Sequence, residues 1–363
     1  MGVADRIKEL EDELRKTQYN KATEHHFGVV KARIAKLREK LEQESSKKGG
    51  GGGFSVRKSG DATVILVGFP SVGKSTLLNK LTGANSKVGQ FAFTTLDVVP
   101  GVLHFNHATI QVLDVPGILQ GASRGKGRGK EVLGTVQSAD LVVVLVDALH
   151  PECHDVIRNE LHDFGVRLNQ RPPDVKITKK GRGGISISST VPLTKMREET
   201  IVSVLREFRI NNADVLFRDD VTVDQFIDAI KRNRKYCAAV SVVSKIDLLN
   251  EEQQEYVREI VNPDLEISAE TGLNINALKR LIYDRLQFIR VYLKERNKPA
   301  DLEEPMIVQR GATIGTICDK IHRSFRDKFK LARMWGSSKF AGQIIRKLDK
   351  PLEDGDILEI HLR

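Results

Sequence analysis

Gly68-Phe69-Pro70-Ser71-Val72-Gly73-Lys74-Ser75 is the stretch from which the rest of the chain is read. An apolar run over residues 63–67 leads into it, and Thr76-Leu77-Leu78-Asn79-Lys80-Leu81 follows. G-x-x-x-x-G-K-S between a strand and a helix is a P-loop in its confirming context. The glycines let backbone N–H groups turn inward as an anion nest, and the helix N-terminus adds partial positive charge. Lys74 can reach β- and γ-phosphates, and the Ser75 hydroxyl can ligate Mg²⁺. Gly68, Pro70, Ser71, Val72, Gly73 and Thr76 complete the cradle.

Short apolar runs at 63–67, 109–113, 141–146, 238–243 and 265–267 alternate with helical stretches. That alternation predicts an α/β fold with a doubly wound, mostly parallel sheet and ligands at the strand C-terminal ends. The remaining motifs mostly fall there. Thr95, twenty residues past Ser75, can give its hydroxyl to Mg²⁺ and its N–H to a γ-phosphate. Asp114-Val-Pro-Gly117 follows the second run; Asp114 can hold Mg²⁺ through water, and the Gly117 N–H can touch the γ-phosphate. Lys74, Thr95 and Gly117 are therefore the expected catalytic set, and Ser75, Thr95 and Asp114 the metal set. Ser244-Lys-Ile-Asp247 follows the fourth run. The Asp247 carboxylate can accept from guanine N1–H and the N2 amine, a donor pair adenine lacks, while the Lys245 stem lies over the base. Ser268-Ala269-Glu270 fits the loop whose N–H reads guanine O6. In this order the motifs predict a guanine-nucleotide switch.

Length sets a multi-domain prior: 363 residues exceed one core. Residues 1–48 read as a helical hairpin, since Ile7, Leu10 and Leu14 recur at helical spacing, and so do Val30, Ile34, Leu37 and Leu41. His25-His26 between them reads as a surface turn, not a metal site. Residues 49–60 are a linker holding Gly49 to Gly53. The GTP-binding domain is expected over 61–164 and 235–296, its last helix spanning 272–293. A small α/β insertion, 165–234, interrupts it. Residues 303–363 form a closing unit. No run is long and apolar enough for a membrane span, and Cys153, Cys237 and Cys318 make no CxxC pair. A cytoplasmic chain with reduced thiols and no membrane partner is expected.

Net charge of +10 favours a polyanion. Two basic segments concentrate it. Residues 121–130 carry Arg124, Lys126, Arg128 and Lys130 among glycines, with no acid. From Lys320 to Lys347 there are nine basic residues and one acid, Asp327, with Phe325, Phe329 and Trp335 interleaved. Lys320, Arg323, Lys328, Lys330, Arg333 and Lys339 are its candidate RNA contacts.

Gly-Phe-Pro-Ser-Val-Gly-Lys-Ser-Thr, Phe-Thr-Thr-Leu and Asp-Val-Pro-Gly-Ile resemble the Obg-related GTPases. With the glycine linker, the hairpin and the basic glycine loop, the chain resembles the developmentally regulated GTP-binding proteins over essentially its whole length. Its tail, a strand, helix, short strands and a closing strand after Asp354-Gly-Asp, resembles the TGS domain, a ubiquitin-like β-grasp. The resemblance implies a translation-associated GTPase that uses Mg²⁺, binds ribosomes or RNA rather than DNA, and meets a regulatory protein through the TGS or helical module. Ile118 stands near where many GTPases place a water-orienting glutamine, so slow intrinsic hydrolysis is expected. Some relatives use K⁺, commonly with an asparagine where this chain has Ser71; modest K⁺ stimulation is the expectation. Ser244 replaces the usual asparagine, and micromolar nucleotide affinity, roughly −8 kcal/mol, is expected. The alternative is a scaffold for RNA or a filament that binds GTP without cleaving it. A tRNA synthetase, suggested by the TGS-like tail, lacks its catalytic motifs here.

Overall fold

The computed structural model describes residues 2–18, 20–48, 60–83, 99–115 and 135–363. The chain divides into two compact units, one formed by 1–53 with 170–236 and the other by 54–169 with 237–363.

The second unit holds the nucleotide motifs. Its larger sheet contains β1 (Ala62–Val67), β2 (Val99–Phe105), β3 (Ala108–Asp114), β4 (Leu141–Asp147), β9 (Lys235–Ser244) and β10 (Leu265–Glu266), in the order β10-β9-β4-β1-β3-β2. A short strand, β5 (Val166–Leu168), also pairs with β9. Neighbours are parallel from β10 to β3, and β2 runs antiparallel on the edge. Strand β1 is buried on both faces. Ile65 and Val67 join a core with α4 (Cys153–Asp163) and α7 (Glu251–Val261). Val64 and Leu66 join one with α3 (Lys74–Thr82) and α8 (Ile275–Arg285). Two covered faces explain why β1 is an unbroken apolar run.

The predicted terminal helix over 272–293 is corrected. Helix α8 stops at Arg285, Gln287 takes a positive φ of 50°, and Phe288–Leu293 is strand β11. Ile289 and Val291 alternate with exposed Arg290, a period of two that fits a sheet and not a helix. Strand β11 opens a second sheet, β12-β11-β15-β13-β14, with β12 (Met306–Gln309), β13 (Phe329–Trp335), β14 (Gln343–Ile345) and β15 (Asp356–Leu362). Helices α9 (Ile314–Ile321) and α10 (Arg323–Lys328) complete this unit, which therefore begins before the expected boundary at 303. Ile307, Phe288 and Tyr283 carry the larger sheet's core across to it, with Tyr283 5.7 Å from Phe105 and 5.4 Å from Phe288.

In the other unit, α1 (Val3–Lys16) and α2 (Glu24–Lys48) form the hairpin. Leu10 packs on Val30 and Ile34. The inserted segment supplies β6 (Val175–Lys179), β7 (Ile185–Ser189), α5 (Glu198–Glu207), β8 (Ala213–Phe217) and α6 (Val223–Lys231), with the sheet order β6-β8-β7. Ala32 and Ala35 of α2 sit in one core with Ile201, Leu205 and Phe226. Gly28 permits that approach, since a Cβ there would stand 2.6 Å from Thr200 Cγ2. Buried Glu24 accepts from Arg197 N at 2.8 Å and Thr200 Oγ1 at 3.3 Å, setting a carboxylate at the N-terminus of α5, where the helix dipole favours it.

Candidate functional site

The loop between β1 and α3 is shaped by three backbone positions. Gly68 follows β1, and a Cβ there would lie 2.6 Å from Leu145 O on β4. Only glycine lets the strand and loop come this close. Ser71 has a φ of 64° and Gly73 one of 95°, so the chain turns through left-handed positions before α3 starts at Lys74. Pro70, Ser71, Ser75 and Thr76 are exposed on the rim, while Val72 is buried beneath it.

Lys74 points into this loop. Its Nζ donates to Phe69 O at 2.9 Å and to Gly68 O at 3.1 Å. Burial pushes its pKa down, and nearby Asp114 opposes that shift. A buried ammonium held by two loop carbonyls is poised to exchange them for phosphate oxygens, which also carry charge. Beside it, Ser75 Oγ donates to Asp114 Oδ2 at 2.6 Å. Two of the three expected Mg²⁺ ligands, from α3 and the end of β3, are thus already in contact. A hydroxyl and one carboxylate are hard oxygen donors and suit Mg²⁺, which keeps waters and takes phosphate oxygens to complete its shell.

Ser244, 3% exposed at the end of β9, ties the strands to the loop. Its Oγ lies 2.9 Å from Val72 O and 3.1 Å from Val146 O. A single hydroxyl hydrogen therefore serves two carbonyls, one in the loop and one on β4. Lys245 follows at a φ of 60° and its Nζ meets Asp147 Oδ2 at 2.6 Å. Asp147 was not among the expected residues. Its signal was its place as the polar last residue of the apolar β4 run. Asp247 is solvent-exposed in the short 3₁₀ turn Ile246–Leu248. Ile246 N donates to Ile267 O at 3.3 Å, joining this turn to the Ser268–Glu270 loop. There Ser268 is buried and its Oγ accepts from Thr271 N at 3.2 Å. Ala269 is half-buried and Glu270 exposed. The structure therefore gathers the loop, Asp114, the Ser244–Asp247 turn and the Ser268–Glu270 loop at one end of the sheet. Thr95, Gly117 and Ile118 lie outside the described residues, as do Arg124, Lys126, Arg128 and Lys130.

The C-terminal basic segment is less uniform than its sequence implies. Arg323, Lys328, Lys330, Arg333 and Lys339 are exposed. Lys320 is tied down: its Nζ bridges Asp61 Oδ1 and Ile307 O, each at 2.5 Å. The interleaved aromatics are not a stacking platform. Phe329 is buried in the smaller sheet's core and Phe325 packs against it, because their neighbours Ala332 and Met334 fill the same face. Trp335 carries Lys294 Nζ 4.8 Å from its ring centre. Exposed Phe340 and Ile344, on and beside the β13–β14 loop, went unremarked in the sequence.

Three family models match successive parts of the chain from residue 63 on: a 50S ribosome-binding GTPase over 63–179, the C-terminal region of that domain over 182–288, and a TGS domain over 289–362. An uncharacterised GTP-binding protein of Methanocaldococcus jannaschii is 52% identical, covering 100% of this chain and 94% of its own length. Developmentally-regulated G-protein 2 of Arabidopsis thaliana is 44% identical, covering 99% and 91%. GTP-binding protein 1 of Schizosaccharomyces pombe is 43% identical, covering 99% of each. The chain belongs to the developmentally regulated GTP-binding proteins. The larger sheet is this family's P-loop GTPase domain, and the sheet from β11 to β15 is its TGS domain. The TGS match starts at residue 289, within β11. No described helix is long and apolar enough to cross a membrane.

Proposed function

We propose that the chain binds GTP with Mg²⁺, hydrolyses it slowly to GDP and phosphate, and uses the bound nucleotide to set its hold on a ribosome or RNA in the cytoplasm. The contact of Ser75 Oγ with Asp114 Oδ2 at 2.6 Å, beside buried Lys74, carries this reading. It juxtaposes a magnesium donor pair and a phosphate-seeking ammonium at the end of a parallel sheet.

Each residue then has a distinct task. Asp247 accepts guanine N1–H and the N2 amine. Lys245 covers the base, its ammonium steadied by Asp147. Ser268, Ala269 and Glu270 close over guanine O6. Lys74 turns from the Gly68 and Phe69 carbonyls to the β- and γ-oxygens and stabilises charge as it develops there. Ser75, Thr95 and Asp114 would hold Mg²⁺, which supplies further charge neutralisation when bound. Thr95 and Gly117 are the proposed γ-phosphate sensors, so cleavage frees the segments that carry them. With Ile118 in place of a water-orienting side chain, turnover depends on a partner or on K⁺. The exposed basic residues of the TGS domain offer phosphate contacts, and a regulatory protein docks on that domain or on the helical hairpin.

Single-turnover GTP cleavage, with and without ribosomes, tests the enzyme. Wild type is expected to cleave slowly alone and faster with ribosomes, and Lys74→Ala not at all. Equal cleavage by both proteins contradicts the assignment, and no cleavage by wild type favours a scaffold that only binds GTP. Cosedimentation with ribosomes in a GTP analogue against GDP, across a salt series, tests the coupling. Equal pelleting in both nucleotides removes the switch.

A further inference from the structure

We propose that the groove between α2 and α5, in the unit without nucleotide motifs, is a binding site for the phosphate backbone of RNA. His25, Val29, Arg33, Lys36 and Lys40 recur every three to four residues along α2, so they form one stripe. That stripe is not the one used for packing: Val30 and Ile34 face α1, and Ala32 and Ala35 face the inserted subdomain. Two adjoining cavities, of about 700 and 440 Å³, open along it and share Arg33, Lys36, Glu207 and Arg209. The fifteen helical steps from His25 to Lys40 extend about 22 Å at ~1.5 Å per residue.

The charge of the groove is one-sided. Arg6, Arg33, Lys36, Lys40, Arg206 and Arg209 line it against two carboxylates, Glu39 and Glu207. Glu207 is shared: its Oε1 accepts from Arg33 Nε at 2.9 Å, while its backbone O accepts from Lys36 Nζ at 2.9 Å. Arg206 and Arg209 are exposed and make no ion pair among the described residues. Like charges stacked along one helix face repel, by a few tenths of a kcal/mol for each pair. An anionic ligand relieves that repulsion. Four of the six cations are arginines, whose forked donors match phosphate oxygens in pairs.

Other ligands fit less well. A membrane surface requires apolar anchors beside the charges, and a protein interface requires an apolar centre. Every large exposed hydrophobic side chain of the described residues lies between Val99 and Leu149 or between Leu248 and Ile344, in the other unit. Among the described residues, the exposed ring in the groove is the imidazole of His25, whose Nε2 lies 2.8 Å from Ser203 Oγ, and the cations around it hold the phosphate backbone without reading sequence.

This inference rests on the RNA-binding part of the proposed function and not on its GTP part. The test uses the full chain, a fluorescein-labelled 20-nucleotide RNA, and the same sequence as DNA, with fluorescence polarisation from 50 to 200 mM KCl. Arg33→Gln, Arg206→Gln and Arg209→Gln together are expected to lower RNA affinity ~100-fold at 0.1 M salt and to reduce the log–log salt slope by roughly 2. Arg206→Gln alone, at an exposed unpaired site, is expected to cost about fivefold, which keeps the test valid if the triple variant unfolds. Lys176→Gln, Lys179→Gln and Arg182→Gln remove the same charge from β6 and the segment that follows it and are expected to change little. RNA binding by the groove variants equal to wild type, or an equal loss in the control, overturns the groove while leaving RNA binding intact. No RNA binding by wild type overturns both. Binding only to the DNA strand contradicts the RNA assignment.

Discussion

Ser244→Ala removes a single oxygen from a site that joins the phosphate loop to the sheet. In the wild type its Oγ stands 2.9 Å from Val72 O and 3.1 Å from Val146 O, at 3% exposure. One hydroxyl hydrogen is shared between them, so the change costs one net hydrogen bond, about 1 kcal/mol, and leaves a poorly satisfied buried carbonyl, about 1 kcal/mol more. The sum, about 2 kcal/mol, is roughly a thirtyfold change in an equilibrium constant. Trp335 lies in the same compact unit, so its fluorescence reports unfolding of that unit. With an m-value of about 2–3 kcal/mol/M, the urea midpoint is expected to fall by roughly 0.7–1 M at unchanged slope. Because Val72 belongs to the loop, GDP affinity is expected to fall as well, by roughly fivefold or more. A midpoint within 0.1 M of wild type (about 0.3 kcal/mol) together with unchanged GDP binding would refute the tether.

Gly68→Ala places a Cβ 2.6 Å from Leu145 O and 3.0 Å from Val72 Cγ1. Overpacking of about 1–3 kcal/mol is expected, with loss of nucleotide binding at a temperature where the variant remains folded; normal affinity in a calorimeter would show that the loop yields freely. In the TGS domain, the hydrogen bond from Lys294 and the contact with His361 hold Glu359 below its ordinary value of 4.5. Its contribution is therefore full above about pH 4.5 and is lost as the pH falls through its lower folded value. Glu359→Gln should then be less stable than wild type at pH 7, with the gap closing on acidification; a gap constant from pH 7 to 3 contradicts the pairing.

Much of the GTPase domain was legible because its signals are local. Strand β1 is apolar on both faces, the P-loop has glycines where the backbone needs them, and each later motif ends an apolar run. What stayed hidden depends on distant neighbours. Strand β2 contains Pro100 and Gly101, which read as turn residues. Its edge position tolerates the proline, and a Cβ on Gly101 would lie 2.6 Å from Thr82 Cγ2 on α3. Strand β11 reads as helix because it continues the apolar pattern of α8, and only its pairing with β12 and β15 shows otherwise. Lys320 looks like one more exposed cation until Asp61, 259 residues away, is placed beside it. The hairpin's partner was equally unreadable. Its second face matches a subdomain that starts more than a hundred residues later.

Calorimetric titration of the full chain with GTP and with ATP, both with Mg²⁺, tests the central claim that Asp247 and the phosphate loop form one guanine-selective pocket. Micromolar GTP binding is expected, with ATP weaker by a factor on the order of 10⁴ and that preference abolished in Asp247→Asn. Equal affinity of the wild type for both triphosphates would contradict it.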